Sequence, residues 1–443
     1  MSPPVDRIAS DSNLPAAADV VVIGGGIIGV AAAYALTQRG HSVALVEKGH
    51  IGCEQSSRNW GWCRQQNRDE RELPLVRHSL EMWGKLGEEI GADLGFRRQG
   101  LLYVTQKPAE LADWEAWVNM ARKHQVHSRM LTAEEAQAMT PGATERWIGG
   151  VHSPSDGRAE PAKAAPALAA AARRAGATVH QQCAARGLET TGGAVSAVVT
   201  EKGRIRTQAV LCAGGAWTSM FCRRHGIKLP QAGVRSTAFY TTPATAVTEG
   251  GLSMPGAVIR RRLDDGYTIA VRGRGQLELT PQGLRYARQF WPMLVKRRSA
   301  GLTFRVGRSF FQGPEAFGSW SLDGVSPFEK MRVLDPEPDM GVVEDGLRGL
   351  VRAYPALAGI KAAEVWGGWI DSTPDAIPVI SPVEALRGFF IATGFSGHGF
   401  GIGPAAGRLA ADLVTGATPL VDPHPFRYSR LVDGTDLGPP GPM

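Results

Sequence analysis

The sequence predicts an α/β chain, α+β overall, in which a Rossmann-like dinucleotide-binding domain is interleaved with a discontinuous antiparallel-sheet domain. Three observations predict it. An apolar run, Val20-Val21-Val22-Ile23, leads straight into Gly24-x-Gly26-x-x-Gly29. Two later apolar runs also end in glycine-dense turns, at Ala213-Gly214-Gly215-Ala216-Trp217 and from Gly394 to Gly403. From Val234 the pattern changes to short alternating strands rich in arginine, a new layer rather than more βαβ.

In the first unit each glycine has its own task. Gly24 allows the tight turn, Gly26 lets a diphosphate approach the backbone, and Gly29 lets helix and strand pack closely. The helix expected over Ile28 to Arg39 offers the N–H groups of Ile27, Ile28 and Gly29 and a positive dipole end to that diphosphate. Gly40 ends it, and a second apolar run, Val43 to Val46, leads to Glu47 and Lys48. An acid there accepts hydrogen bonds from a ribose, and its charge would repel a 2′-phosphate.

The length of 443 residues suggests two domains, and 43% hydrophobic residues suffice for full cores. Forty-nine basic against 42 acidic residues leave a net charge of +7, too mild and too dispersed to point to nucleic acid. No stretch is apolar enough to span a bilayer, and Met1 to Ala18 read as a disordered arm. Five cysteines without metal-knuckle or C-x-x-C spacing fit reduced thiols in a cytoplasmic protein, and no metal site is expected.

After Glu47, the aperiodic loop Gly52 to Trp62 would run under a bound cofactor, with Gln55, Ser56, Ser57, Arg58, Trp60, Gly61 and Trp62 as contacts. Two tryptophans so close fit solvent poorly. From Glu72 to Ile90, Leu73, Val76, Leu80, Trp83 and Leu86 recur at helical spacing. A strand over Gly100 to Thr105, helices over Glu110 to His124 and Ala133 to Met139, and an alanine-rich helix Ala162 to Ala175 follow. Thr178 to His180 and Val195 to Thr200 read as strands joined by a Gly192-Gly193 hairpin turn. The strand Ala209 to Cys212 runs into Ala213, Gly214, Gly215 and Trp217, which would pass close beneath the nucleotide.

Ser236 to Thr241, Ala257 to Arg261 and Tyr267 to Val271 form the alternating strands, crowded by Arg260, Arg261, Arg262, Arg272 and Arg274. An arginine facing inward there would clamp a carboxylate bidentately. Leu284 to Arg298 reads as a helix with a basic end, Lys296-Arg297-Arg298, followed by a run of aromatics to Phe328. This stretch, 284–328, could touch a membrane surface or cap the active site. Further elements are a short helix, Leu347 to Tyr354, strands over Val365 to Trp369 and Pro378 to Ile380, and Phe389 to Thr393. The last strand enters the loop of Gly394, Ser396, Gly397, His398, Gly399, Phe400 and Gly401 before a helix over Ala405 to Val414. The helix start could stabilise an anion.

These turns carry a resemblance. Gly24-x-Gly26-x-x-Gly29, Glu47, Ala213-Gly214-x-x-Trp217, Thr373-Pro374-Asp375 with Pro378, and Gly394-x-x-Gly397-His398-Gly399 resemble the glycine oxidase and D-amino-acid oxidase superfamily of flavoenzymes. Within it the chain looks most like bacterial L-amino-acid deaminases. The likeness rests on Glu47-Lys48-Gly49, Glu54 to Arg58, Cys183-Ala184-Ala185-Arg186 to Thr190, Val199 to Gly203 and Ser326 to Lys330. The resemblance implies an FAD-binding domain in three parts (19–75, 149–226, 346–430) and a substrate domain in two (76–148, 227–345). The second substrate part would carry an insertion over 276–330, with an arm (1–18) and a tail (431–443) outside both.

It also implies FAD as cofactor, an α-amino acid as substrate, and a 2-oxo acid and ammonia as products. Ala184 and Ala185 would join the FAD contacts, Arg272 would hold the substrate carboxylate and Trp366 would cover the pocket. Hydride would pass from Cα to flavin N5, and electrons on to O2 or a quinone. A D-amino acid or a secondary amine such as sarcosine or proline is the alternative substrate. The deaminases carry an N-terminal transmembrane helix, which Met1 to Ala18 do not supply, so the expected location is cytoplasmic, at most peripheral to the inner membrane. Where they place a glutamine in the pocket-side loop, this chain has Trp62.

Overall fold

The strand Val20–Ile23 sits inside a six-stranded sheet, ordered Val379–Pro382, Phe389–Thr393, Ala209–Cys212, Val20–Ile23, Val43–Val46, Thr178–His180. The computed structural model describes residues 3–296 and 303–441. Val20 lies opposite Val43 on one side and Ala209 on the other, in parallel register, and Val379–Pro382 runs antiparallel at one edge. The central strands are continuous apolar runs because both faces are covered. One face carries the helices Ile27–Thr37, Pro161–Arg174 and Gly399–Thr415. Trp217, Phe221 and the three-stranded meander Ala185–Thr191, Ala194–Thr200, Gly203–Arg206 pack on the other.

Small residues bring the two glycine-turn helices together. A Cβ on Gly407 would lie 2.5 Å from the Ala31 Cβ, and one on Gly403 2.7 Å from Ile27. Ile27–Thr37 and Gly399–Thr415 therefore converge closely, which brings two helix amino ends to the same side of the sheet.

The second domain is a ten-stranded, mostly antiparallel sheet whose long strands Ala232–Thr241 and Ala362–Ser372 pair over their length. Gly149–Ser153, expected in the cofactor domain, pairs here with Leu101–Thr105. Ala362–Ser372 crosses from the cofactor domain in the same way. Leu73–Ile90 does the reverse. Its Ser79 Oγ and Trp83 Nε1 both donate to the Gly401 carbonyl, at 2.8 and 2.9 Å, so it packs on the cofactor-domain helix.

Other expectations are corrected. Residues 3–18 are not a free arm: the Asp11 carboxylate accepts from Val179 N at 2.8 Å and from Arg173, and Ala18 N donates to Arg206 O at 3.0 Å. The Gly192-Gly193 turn joins Ala185–Thr191 to Ala194–Thr200, while Thr178–His180 belongs to the parallel sheet. The last helix begins at Gly399, not Ala405, so Pro404 lies inside it. The helix before the aromatic run is broken into Pro281–Arg285 and Ala287–Lys296, and Arg297 and Arg298 lie outside the described residues. Met340–Ala353 starts well before Leu347. Among the described residues no helix is long and apolar enough to cross a membrane, all five cysteines are unpaired, and no cluster of His, Cys, Asp or Glu could hold a metal.

Candidate functional site

The glycine turn is sterically obligatory. Gly24 has φ +106°, and a Cβ there would meet the Ala213 carbonyl oxygen at 2.4 Å. A Cβ on Gly29 would meet Gly24 O at 2.0 Å, so the helix cannot back onto the strand with any larger residue. Gly26 caps Ile27–Thr37 with no side-chain cap of its own, and Ser56 Oγ accepts from Ile27 N at 2.8 Å.

Glu47 ends the second strand and accepts from Gly25 N and Gly49 N, both at 2.7 Å. Burial raises its carboxyl above the ordinary value, against Lys48 and those two N–H groups. Lys48 turns away, to Glu54 at 2.6 Å and to the carbonyls of Met331 and Arg332, with its ammonium 4.5 Å over the Trp217 ring. Trp217 Nε1 donates to the same Glu54 at 3.2 Å.

One cavity runs from this end to the second domain. Its walls include Gly24, Gly26, Ile27, Ile28, Glu47, Lys48, Gln55, Ser56, Arg58, Trp60, Trp62 and Ala185. Ala213, Gly214, Gly215, Trp217 and the loop Ser396, Gly397, His398, Gly399, Phe400, Gly401 close it. Five expected contacts stand behind the wall. Gly29 serves helix packing, and Ser57 Oγ donates to Glu54 O at 3.1 Å. A Cβ on Gly61 would meet Ala159 O at 2.6 Å, Ala184 N donates to Glu201, and Gly394 N donates to Asp371 at 2.8 Å. Arg58 lines the cavity but directs its guanidinium to Leu334 O, Gly367 O and, at 3.2 Å, Asp335. It ties the loop to the substrate sheet.

The two residues expected to meet substrate lie elsewhere. Arg272 is exposed, 3.7 Å from Glu110 and with its guanidinium carbon 5.5 Å from the Tyr103 ring centre. It lines a separate surface pocket with Arg274, Asp345 and Arg348. The physical reason is that its strand ends at Ala270, and the turn at Gly273, φ +74°, carries the side chain off the sheet face. Trp366 is buried behind the wall, donating to Arg58 O at 3.0 Å and packed against Tyr240.

In their place stand Arg64, which follows Trp62 in the pocket-side loop, and Arg68 and Trp369, which nothing in the sequence marked as site residues. The loop after Trp62–Cys63 is pinned by Asp156, which accepts from Gln65 N at 2.8 Å and Gln66 N at 3.1 Å. Burial pushes the Asp156 carboxyl up to about 6. Arg64 donates to Gln66 O. Arg68 N donates to Gln65 O, and its own carbonyl accepts from Trp117 Nε1 at 2.8 Å. Arg68 is 3% exposed, and its Nε and Nη1 are buried with no hydrogen-bond partner among the described residues. Burial, with Arg64 nearby, pushes it down to about 9, so it stays a cation at neutral pH.

His398, at the start of Gly399–Thr415, lies beside this loop. Its Nδ1 is 3.0 Å from Glu72 Oε2, and its Nε2 has no partner among the described residues. Burial, reinforced by Arg68, pushes its pKa down to about 4. The ring is therefore neutral, Nδ1 carries the proton toward the carboxylate, and Nε2 is a bare acceptor.

The donor set fits an adenine dinucleotide: a helix amino end with no N-cap side chain beside a glycine turn whose Gly24 and Gly29 admit no Cβ, with an acid at the ribose position. The profile of the family described as FAD dependent oxidoreductase matches residues 19–413. Mitochondrial sarcosine dehydrogenase of Mus musculus is 26% identical over 94% of this chain and 42% of that protein. Glycine oxidase of Pseudomonas aeruginosa is 26% identical over 92% of this chain and 97% of that protein. The chain spans less than half the length of the mitochondrial dehydrogenases it matches. The L-amino acid deaminase of Proteus myxofaciens, solved with anthranilate, superposes with a TM-score of 0.91 at 30% identity, over 97% of this chain and 98% of that one.

Proposed function

The chain belongs to the FAD-dependent oxidoreductase family, and we propose that within it the protein deaminates an α-amino acid, the L enantiomer favoured, to a 2-oxo acid and ammonia. One observation carries the reading. A single cavity joins the glycine cradle and Glu47 to a buried cationic, tryptophan-lined chamber, on a chain similar throughout to an L-amino acid deaminase. Such a chamber suits a small carboxylate with an apolar side chain.

Ile27, Ile28 and Ser56 would hold the diphosphate of FAD, Glu47 the ribose, and the amino end of Gly399–Thr415 the edge of the ring. Bound FAD supplies the two-electron acceptor for the hydride leaving Cα. The chain's own work is positioning: it must bring Cα to the ring with the amine neutral, and it must exclude water. Trp60 and Trp62, edge to face at 5.4 Å, and Trp369 wall the chamber against solvent.

A second reading keeps the chemistry and changes the amine. Similarity to sarcosine dehydrogenase and glycine oxidase favours a secondary amine or glycine. Reduction of the holoenzyme by a panel of L-, D- and N-methyl amino acids separates the two.

The reoxidant is O2 or a quinone. Phe311 is 79% and Phe317 71% exposed, beside exposed Arg305 and Arg308. Aromatics interleaved with cations suit the headgroup layer of an anionic bilayer, where a quinone would be reached. Co-sedimentation with phosphatidylglycerol vesicles, lost in a Phe311→Ser, Phe317→Ser variant, tests that contact.

A further inference from the structure

Several buried polar groups of the chamber wall, the Trp62 indole N–H among them, have no hydrogen-bond partner among the described residues, and two of these can read a charged or basic ligand. The Arg68 guanidinium is one and His398 Nε2 the other. They come from segments 330 positions apart, Asn67-Arg68 on the loop after Trp62–Cys63 and His398 on the last glycine loop, and each is fixed from behind. Asn67 holds a left-handed backbone, φ +58°, and the amides and carbonyls of Gln65, Gln66 and Arg68 are bonded, so the loop presents Arg68 rigidly. Glu72 fixes the His398 ring by its other nitrogen.

An unpaired buried guanidinium is costly, and its donors accept nothing but an acceptor, best a carboxylate taken through two parallel bonds. The diphosphate already has a place at Ser56 and the Ile27–Thr37 amino end, on a different segment. A bare imidazole nitrogen needs the opposite, a donor, and an amine N–H is one.

We propose that Arg68 and His398 form a two-point reader of the α-amino carboxylate: Arg68 binds the carboxylate and His398 Nε2 accepts from the amine N–H. This rests on the amine-oxidising reading above and deepens it. A ligand lacking either group fills half of the site. Arg272, exposed and paired with Glu110, has no part in it.

The test uses the FAD-loaded protein and benzoate, a redox-inert carboxylate without an amine, titrated against the flavin absorbance. Arg68→Met is expected to weaken benzoate at least about 30-fold, as loss of one partner of a buried charge pair does. Arg272→Met should leave it within about twofold. His398→Asn, whose amide can still donate to Glu72, should keep benzoate affinity but raise KM for the amino acid. Wild-type benzoate affinity in Arg68→Met overturns the proposal. So does loss of FAD from an otherwise folded Arg68→Met, which would assign the guanidinium to the cofactor.

If Arg68→Met does not fold, Arg68→Lys decides, because an ammonium cannot reproduce the bidentate fork: weaker benzoate supports the proposal and unchanged benzoate refutes it. The titration needs no turnover. If no amine reduces the flavin yet benzoate binding depends on Arg68, the reaction is wrong and the carboxylate site stands.

Discussion

Glu72 and His398, 326 positions apart, meet at 3.0 Å with both side chains buried. Glu72 caps Leu73–Ile90 and His398 opens Gly399–Thr415, so one hydrogen bond to a charged group ties two helices and sets the imidazole tautomer. Glu72→Gln removes the charge and keeps the shape. The expected loss of stability is about 1.5–3 kcal/mol, read from denaturant unfolding of the holoenzyme. An unchanged midpoint would mean the pair contributes nothing.

The glycine cradle gives a sharper contrast. A Cβ at Gly29 would overlap Gly24 O, whereas one at Gly359 meets nothing within 4 Å. Gly29→Ala should be purified with little or no bound FAD, and Gly359→Ala with a full complement. The ratio of flavin to protein absorbance measures both. Full occupancy in Gly29→Ala would show that the helix can retreat from the strand.

Glu47→Ala strips two backbone N–H groups, on Gly25 and Gly49, of their acceptor. Each unsatisfied buried group costs about 1–3 kcal/mol, so FAD should bind at least about fivefold more weakly. Equilibrium titration of deflavinated protein reads this directly. Affinity equal to wild type would remove Glu47 from the cofactor site.

Glu329 supplies a pH dependence. Burial opposes its ionisation, but the Arg186 guanidinium at 2.9 Å and Ser326 outweigh that and hold its pKa down to about 2. A depressed carboxylate stabilises the fold above its unfolded value and loses that contribution as pH falls. The window here is from about 4.5 down to about 2. Glu329→Gln should therefore lower the thermal midpoint at pH 6, with the gap to wild type narrowing below about pH 4.5 and closing toward pH 2. Parallel curves would show that the pair contributes nothing to stability.

What the sequence revealed and what it hid divide along physical lines. The three glycine turns were legible because each position answers a steric demand, and Gly24, Gly26 and Gly214 all reach the cavity. Glu47 was legible because it ends an apolar run. Arg68 was hidden in Arg68-Asp69-Glu70-Arg71-Glu72, which reads as a solvated charge run. Its carbonyl is held by Trp117 and its guanidinium acts on His398, both remote in sequence. Arg272 failed for a local reason: the strand stops at Ala270, two residues before it, and the turn sends the side chain the other way. The helix start at Gly399 was missed because intrinsic propensity argues against a glycine-rich turn, and contacts such as Gly401 under Ser79 and Trp83 override it.

The most direct check on amine oxidation is anaerobic mixing of the yellow holoenzyme with single amino acids while the oxidised-flavin band is followed. L-amino acids with apolar side chains should bleach it fully, with 2-oxo acid and ammonia appearing in equal amounts. Bleaching confined to N-methyl or D-amino acids, or a band that no amine alters, would contradict the reading.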